Sequence, residues 1–450
     1  MDTLNGVSGF DKATFTEAHL QEPPVSIRLH PLKSGSIEMN TYGTVPWCAW
    51  GRYLHERPSF TLDPLLHAGA YYVQEASSMF LHSMVQHLFP NATQLKVLDL
   101  CAAPGGKSTL LAAALDTSCL ILSNEVIRSR CSILEENIVK WGYPNQWITS
   151  NDPKDFGAIE GYFDLIVVDA PCSGSGLFRK ESLALNHWTD NNVSLCSGRQ
   201  KRILADIWNS LKENGVLIYA TCSYSPQENE EVLDWLATEF SATTIPIPTD
   251  AYPGIVVSES DNHSMMGYRF FPDKIKGEGF FIAAVRKTQA TNPLKYPKTK
   301  TAAENKGVLL LKDKLQPDAW SCMENAEGIT ALSSAHRQDY ELLKQQLYFR
   351  KVGVSIGAIT SKEWIPHHET ALSIARSHDI PQVEVNKETA LRFLKKEALE
   401  SLQLTKGWYL VCYKGLALGW IKALGNRINN YLPKNQRIRM ELPSELNNEE

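Results

Sequence analysis

Two cysteines, four acids and a lysine stand where a sheet of parallel strands would present them to a ligand. Asp99, Glu125, Asp152 and Asp169 each close or follow a short apolar run: LKVLDL (95–100), LILSN (120–124), QWITS (146–150) and FDLIVVD (163–169). Cys172 lies three residues beyond Asp169, and Cys222 ends a fifth run, VLIYATC (216–222). Thiols serve as nucleophiles and proton carriers, and carboxylates orient hydroxyls and amines. A lone Asp after a strand is ordinarily a helix cap. Five consecutive strand ends with such groups point instead to one site, because open α/β sheets bind ligands outside the carboxyl ends of their strands.

The loop after the first run reads Cys101-Ala102-Ala103-Pro104-Gly105-Gly106-Lys107. Its small residues let backbone approach a ligand, and the helix that follows offers free N–H groups. It is not GxGxxG. Gly106-Lys107-Ser108 imitates the end of a phosphate-binding loop, but the glycine required five residues before Gly106 is Cys101, which argues against ATP hydrolysis. Glu125, nineteen residues after Gly106, stands where an acid can accept hydrogen bonds from two ribose hydroxyls. Loop and acid together suit an adenosine-containing cofactor such as S-adenosyl-L-methionine.

The elements that position these groups are legible from 95 to 225, where short apolar runs alternate with helical patterns as in βαβ units on a parallel sheet. A helix is expected over 107–115. The next should place Ile127, Cys131, Leu134, Ile138 and Trp141 on one face. A third, around 199–211, should stop at Glu213-Asn214-Gly215 before the fifth strand. HRQDYELLKQQLYFRK (336–351) also reads as helical.

With 450 residues, 43% hydrophobic and 21% charged, the chain can bury several cores and is neither collagen-like nor largely disordered. No apolar run is long enough to cross a bilayer and the start lacks a signal-peptide pattern, so a cytoplasmic protein with no membrane partner is expected. Nine widely spaced cysteines without any CxxC pair argue against a structural zinc, and His367-His368 is too bare for a metal site, so no metal is expected. Residues 391–440 carry ten Lys or Arg against two Glu, whereas the first 390 sum to −9. A basic segment on an acidic body suits one polyanion-binding surface. TQATNPLKYPKTKTAAENK (288–306) reads as a linker. The expected division is 1–68, an N-terminal module; 69–288, a catalytic domain; 289–380, linker and intermediate segment; and 381–450, a basic domain.

LDLCAAPGGKS, DAPCSGSGLFRK and YATCSYSPQENE resemble the cofactor loop and the two cysteine motifs of the Sun-type RNA cytosine-5 methyltransferases. AGAYYVQEASSM (68–79), GYRFFPDKIKGEGFFIA (267–283) and PPVSIRLHPLKS (23–34) are similar to further family segments, and GLALGWIKALGNRINNYLPKNQRIR (415–439) resembles the basic C-terminal part of the RsmF branch. The resemblance implies a Rossmann-like α/β methyltransferase fold with a small N-terminal α+β module and a C-terminal, β-rich, PUA-like RNA-binding domain. It further implies S-adenosyl-L-methionine as cofactor, a cytosine of 16S rRNA or the small ribosomal subunit as substrate, and a monomer.

Carbon 5 of cytosine is a poor nucleophile until a thiolate adds to carbon 6 and makes carbon 5 enamine-like. By resemblance, Cys222 is that nucleophile, Cys172 helps remove the proton from carbon 5 and release the product, and Asp169 contacts the base edge. Cys101 to Lys107 would cradle the cofactor's methionine part, Glu125 its ribose and Asp152 its adenine. Arg130 would lie near its carboxylate and Asp169 near the cofactor as well. Ser175 stands where many relatives have Glu. If the chain acted as a DNA cytosine methyltransferase, Cys172 would be the nucleophile and Cys222 idle; a catalytically silent rRNA-binding assembly factor and a tRNA methyltransferase are further alternatives. RNA is expected at Lys180, Lys422, Arg427, Lys434, Arg437 and Arg439, the C-terminal cations being interleaved with Trp420 and Tyr431 as stacking groups.

Overall fold

The computed structural model describes residues 2–33, 40–180, 188–292, 294–297, 311–326, 328–361, 363–399 and 402–442. At its centre the five apolar runs form β1 (Lys96–Asp99), β2 (Leu120–Asn124), β3 (Gln146–Thr149), β4 (Phe163–Asp169) and β5 (Leu211–Thr221). They are parallel, in the order β5-β4-β1-β2-β3. Thr243–Thr244 (β6), Val256–Glu259 (β7), Met266–Phe270 (β8) and Phe280–Arg286 (β9) extend the β5 edge: β9 pairs antiparallel with β5, β8 with β9, β7 with β8, and β6 also with β9. Phe349–Lys351 (β10) pairs antiparallel with β3 at the other edge. Strand order reverses between β1 and β4, so the crevice for a ligand opens at the carboxyl ends of that pair.

Alternation decides which face each side chain covers. Along β4, Leu165 and Val167 enter the core on one face while Ile166 and Val168 enter the core on the other, and all four are fully buried. Helices α1 (Gly106–Ala114), α2 (Arg128–Trp141), α3 (Pro153–Gly157), α4 (Asp190–Trp208) and α5 (Glu230–Phe240) follow β1 to β5 in turn. Within α2 the buried face is Cys131, Leu134, Ile138 and Trp141. Ile127, expected with them, is the extended residue that precedes the helix and is about half exposed.

Two local expectations are corrected. Helix α4 starts at Asp190 because the Thr189 hydroxyl accepts the N–H of Asn192, and it has ended before Leu211 opens β5. Glu213-Asn214-Gly215 therefore does not stop a helix; it is an irregularity inside β5, with Asn214 at φ +62°. The helix expected over 336–351 runs only from Arg337 to Leu343, after which the chain becomes β10, with the Phe349 ring edge-on to Trp147 at 5.8 Å.

The N-terminal module is a helix (Lys12–His19) and a sheet of Thr41–Thr44, Gly51–Leu54, Val25–Leu29 and Tyr71–Val73, the last lying beyond the boundary expected at 68. An intermediate sheet contains Trp320–Asn325, Gly328–Ser333, Val354–Ile359 and Trp364–Pro366. A C-terminal sheet contains Gln382–Glu384, Gly407–Tyr413, Leu416–Ala423 and Ile428–Asn430, covered by the helix Lys387–Lys395. The start of the linker expected over 288–306 is packed, since Gln289 accepts the Trp208 indole N–H at 2.8 Å and Asn292 donates to Glu160; residues 293 and 298–306 lie outside the described residues.

The units meet at a buried lysine. Lys33 donates to the carbonyls of Ala68 (3.2 Å), Lys140 (2.7 Å) and Leu372 (2.7 Å), tying the N-terminal module, the end of α2 and the intermediate unit together. Gly142 ends α2 at φ +85°, and a Cβ there would stand 2.4 Å from the Leu372 carbonyl, so only glycine permits this approach.

Candidate active site

The loop between β1 and α1 is held from behind by the N-terminal module. Fully buried Arg28 donates to Gln74 Oε1 (2.8 Å), Thr109 Oγ1 (2.6 Å) and the Gly106 carbonyl (3.3 Å), with its guanidinium 4.5 Å from the Trp141 ring. Gly105, at φ +116°, turns the loop into α1. Asp99 is fully buried; one carboxylate oxygen accepts the Ser108 hydroxyl at 2.5 Å and the other has no partner among the described residues. Burial, reinforced by Asp169 and Glu125, pushes its pKa up to about 7 against the Ser108 hydrogen bond.

Buried Glu125 accepts the Ile127 N–H at 2.8 Å and faces Arg130 at 3.4 Å. Arg130 also donates to the Ala103 carbonyl at 2.7 Å, so it braces the loop against Glu125. Asp152 caps α3, accepting the Lys154 N–H in a reciprocal box with Asp155, and remains partly exposed. Asn124 stitches the strand ends: its amide donates to the Leu100 and Asn151 carbonyls and accepts from Thr149. An orphaned buried carboxylate oxygen, small residues at 102, 103, 105 and 106, and an acid on the next strand fit S-adenosyl-L-methionine, whose adenosyl and amino-acid ends need polar partners and whose sulfonium is cationic.

Asp169 and Cys172 leave β4 beside Cys222 at the end of β5. The sulfurs of Cys172 and Cys222 are 3.1 Å apart, as free thiols. Hydrogen bonding to Cys222, burial, and the nearby Glu228 push the Cys172 thiol well above the usual range. Lys107, at the end of the loop expected to cradle the cofactor's methionine part, reaches Asp169 at 2.7 Å. Burial opposes its charge, yet Asp169, Asp99 and Cys222 hold its pKa above the ordinary lysine value. The two cysteine loops touch through backbone: Gly176 N–H donates to the Cys222 carbonyl at 2.8 Å, and a Cβ on Gly176 would meet the Gly279 and Cys222 carbonyls at 2.4 and 2.8 Å.

One carboxylate organises both loops and was not singled out in the sequence. Fully buried Glu228 accepts the N–H and hydroxyl of Ser173, the Ser223 hydroxyl, and the Gln200 amide. Its signal is present in YATCSYSPQENE, six residues after Cys222, but an acid at the start of a helix reads by itself as a dipole partner.

Lys180 lies exposed eight residues after Cys172, next to the undescribed 181–187. Arg427, Lys434, Arg437 and Arg439 are exposed on the C-terminal unit, far along the chain from the cysteines. Lys422 is paired with Glu363 and lies over the Trp408 ring. Trp420 is not a stacking group: it is 1% exposed, with its N–H on the His367 carbonyl, because inward positions of its strand fill the core. Tyr431 is exposed and edge-on to Trp408. Among the described residues no group of three or more His, Cys, Asp or Glu could hold a metal, and no helix is long and apolar enough to cross a membrane.

The description 16S rRNA methyltransferase RsmB/F matches residues 85–286, with the RsmF N-terminal domain matching 2–76 and the RsmF PUA domain 381–438. The ribosomal RNA small subunit methyltransferase F of Psychromonas ingrahamii is 31% identical over 411 residues, covering 87% of this chain and 84% of that protein. That of Escherichia coli O139:H28 is 30% identical over 414 residues, covering 88% and 84%. The solved methyltransferase homolog protein from Pyrococcus horikoshii superposes with a TM-score of 0.51 at 29% identity, over 64% of this chain and 98% of that one.

Proposed function

Because the chain belongs to the 16S rRNA methyltransferase RsmB/F family, we propose that it methylates carbon 5 of a cytosine in small-subunit rRNA through a covalent Cys222 intermediate. It is an S-adenosyl-L-methionine-dependent RNA (cytosine-5) methyltransferase with an α/β catalytic core, an N-terminal antiparallel module and a C-terminal PUA domain. The bound cofactor supplies an electrophilic methyl group; Asp99, the 101–106 loop and Glu125 would hold it.

The rest is done by this chain's own groups. The Cys222 thiolate adds to carbon 6 of a base taken out of its stack, forming a carbon–sulfur bond and leaving carbon 5 electron-rich. Asp169, held by Lys107, meets the base edge, and the fixed Lys107 charge offsets negative charge that builds on the ring. After methylation, Cys172 relays the proton lost from carbon 5, the carbon 5–carbon 6 double bond re-forms, and the Cys222 sulfur leaves with its electron pair.

The observation that carries this reading is the 3.1 Å approach of the two sulfurs at neighbouring strand ends, which lets both reach one base. With the sulfurs this close, one thiol keeps its proton when the other ionises, as a nucleophile paired with a proton carrier requires. The test is methyl transfer from labelled S-adenosyl-L-methionine to small-subunit rRNA and to duplex DNA. 5-Methylcytosine in rRNA, lost in Cys222→Ala, is expected. Label that survives the substitution would move the nucleophile to Cys172, and cofactor binding without transfer would leave a silent RNA-binding factor.

A further inference from the structure

A second recess, of about 390 Å³, opens beside the two cysteine loops and is used by nothing in the reaction above. Five rings line it: Phe15 and His19 from the N-terminal helix, Phe178 from the Cys172 loop, Tyr224 from the Cys222 loop, and Trp188 ahead of α4. Two of these residues keep buried polar atoms without partners among the described residues, the Tyr224 hydroxyl and the Trp188 indole nitrogen. Unsatisfied groups of this kind are costly in a closed core.

The recess is built, not incidental. Arg179 clamps the N-terminal helix to the Cys172 loop, donating to the Ala18 carbonyl at 3.2 Å while paired with buried Glu278 at 2.9 Å. Thr14 donates to Asp273 at 2.8 Å, a second tie on that helix. The Tyr224 N–H donates to Ser175 Oγ at 2.8 Å, so the wall facing the helix is made of both cysteine loops joined together. Tyr224 lies two residues from Cys222, within about 7.6 Å along the backbone.

We propose that this recess takes the base of a nucleotide adjoining the target cytosine, stacking it among the partly exposed rings of His19, Phe178 and Trp188, over a floor of buried Phe15 and Tyr224. The proposal rests on the reading that RNA is methylated at Cys222. The occupant follows from continuity: a strand that delivers one base to Cys222 carries its neighbours past the joined loops, and extracting a base leaves those neighbours unstacked. Aromatic walls accept any base by its face.

The test compares methylation of 16S rRNA by the full-length wild type, by Trp188→Ala, which removes a stacking wall, and by Thr16→Trp, which fills the recess from an exposed position that lines it. Cofactor affinity and melting temperature are measured alongside. Both variants should raise KM for rRNA by about tenfold or more, with cofactor affinity unchanged. Wild-type KM in either correctly folded variant would overturn the proposal. A defect seen only with assembled subunits, and not with naked rRNA, would overturn it in favour of a ribosomal-protein contact. Absence of methylation by the wild type would strike the underlying reading instead.

Discussion

Glu228 accepts both the backbone N–H of Ser173, at 2.8 Å, and the Ser173 hydroxyl, at 2.5 Å. The same carboxylate takes the Ser223 hydroxyl at 2.5 Å, so the residues that follow the two cysteines share one buried anion. The relative placement of two sulfurs from different strands thus depends on a fully buried side chain six residues beyond Cys222.

Replacing Glu228 with Ala should therefore separate the sulfurs. Several charge-assisted hydrogen bonds disappear, each contributing about 1.5–3 kcal/mol. Turnover should fall at least about tenfold, with S-adenosyl-L-methionine affinity little changed. Glu228→Gln keeps the shape and part of the bonding and should recover part of the rate. A wild-type rate in Glu228→Ala, measured by single-turnover methylation, would show that the loops hold their geometry without it.

Cys172→Ala should leave the first chemical step intact and impair release. A protein–RNA species that resists denaturing electrophoresis should accumulate when the variant is incubated with cofactor and rRNA. Cys222→Ala should give none. Adduct formation by Cys222→Ala would reverse the two roles.

Asp99 should impose a pH dependence on the stability of the cofactor-free protein. Its pKa is raised on folding to about 7 from an ordinary 3.8, so between those values the folded state binds more protons than the unfolded chain. That contribution is complete below about pH 4 and is lost as pH rises through 7, by up to about 4 kcal/mol at three pK units. Denaturant titrations should show wild type losing stability over that window relative to Asp99→Asn. Buried histidines act in the opposite sense, since burial holds His368 at about 3, and comparing the two proteins cancels them.

On the C-terminal unit, Arg437→Ala and Arg439→Ala should weaken rRNA binding across sequences and together lower the salt slope of log affinity by about 2. Lys422→Ala should do less, because Glu363 already takes its charge. Trp420→Ala should instead destabilise the fold, by about 3–5 kcal/mol for a fully buried ring. An RNA-binding defect in Trp420→Ala without loss of stability would contradict this division.

The five strands and the groups at their ends could be read from the chain because each depends on short-range pattern. An apolar run of four to seven residues flanked by small or acidic ones specifies a buried parallel strand and the group that leaves it. The identity of Cys172, Cys222, Asp169 and Glu125 as candidates needed no coordinates. What spacing could not give was which of these groups face one another. Lys107 pairs with Asp169, Arg130 braces the 101–107 loop, and Glu228 joins the loops that follow two strands. Trp420 looked like a stacking surface because hydropathy does not say which side of a two-faced strand meets solvent. The segment after 336 looked helical because nothing local announces that Phe349 will complete the sheet edge beside Trp147. The sequence by itself determined the strands, the chemistry at their ends and the basic tail, since those follow from residue type and period. Only the tertiary structure decided the 3.1 Å sulfur pair, the carboxylate that holds it and the aromatic recess beside it, because each is made by residues that meet across separate strands, loops and modules.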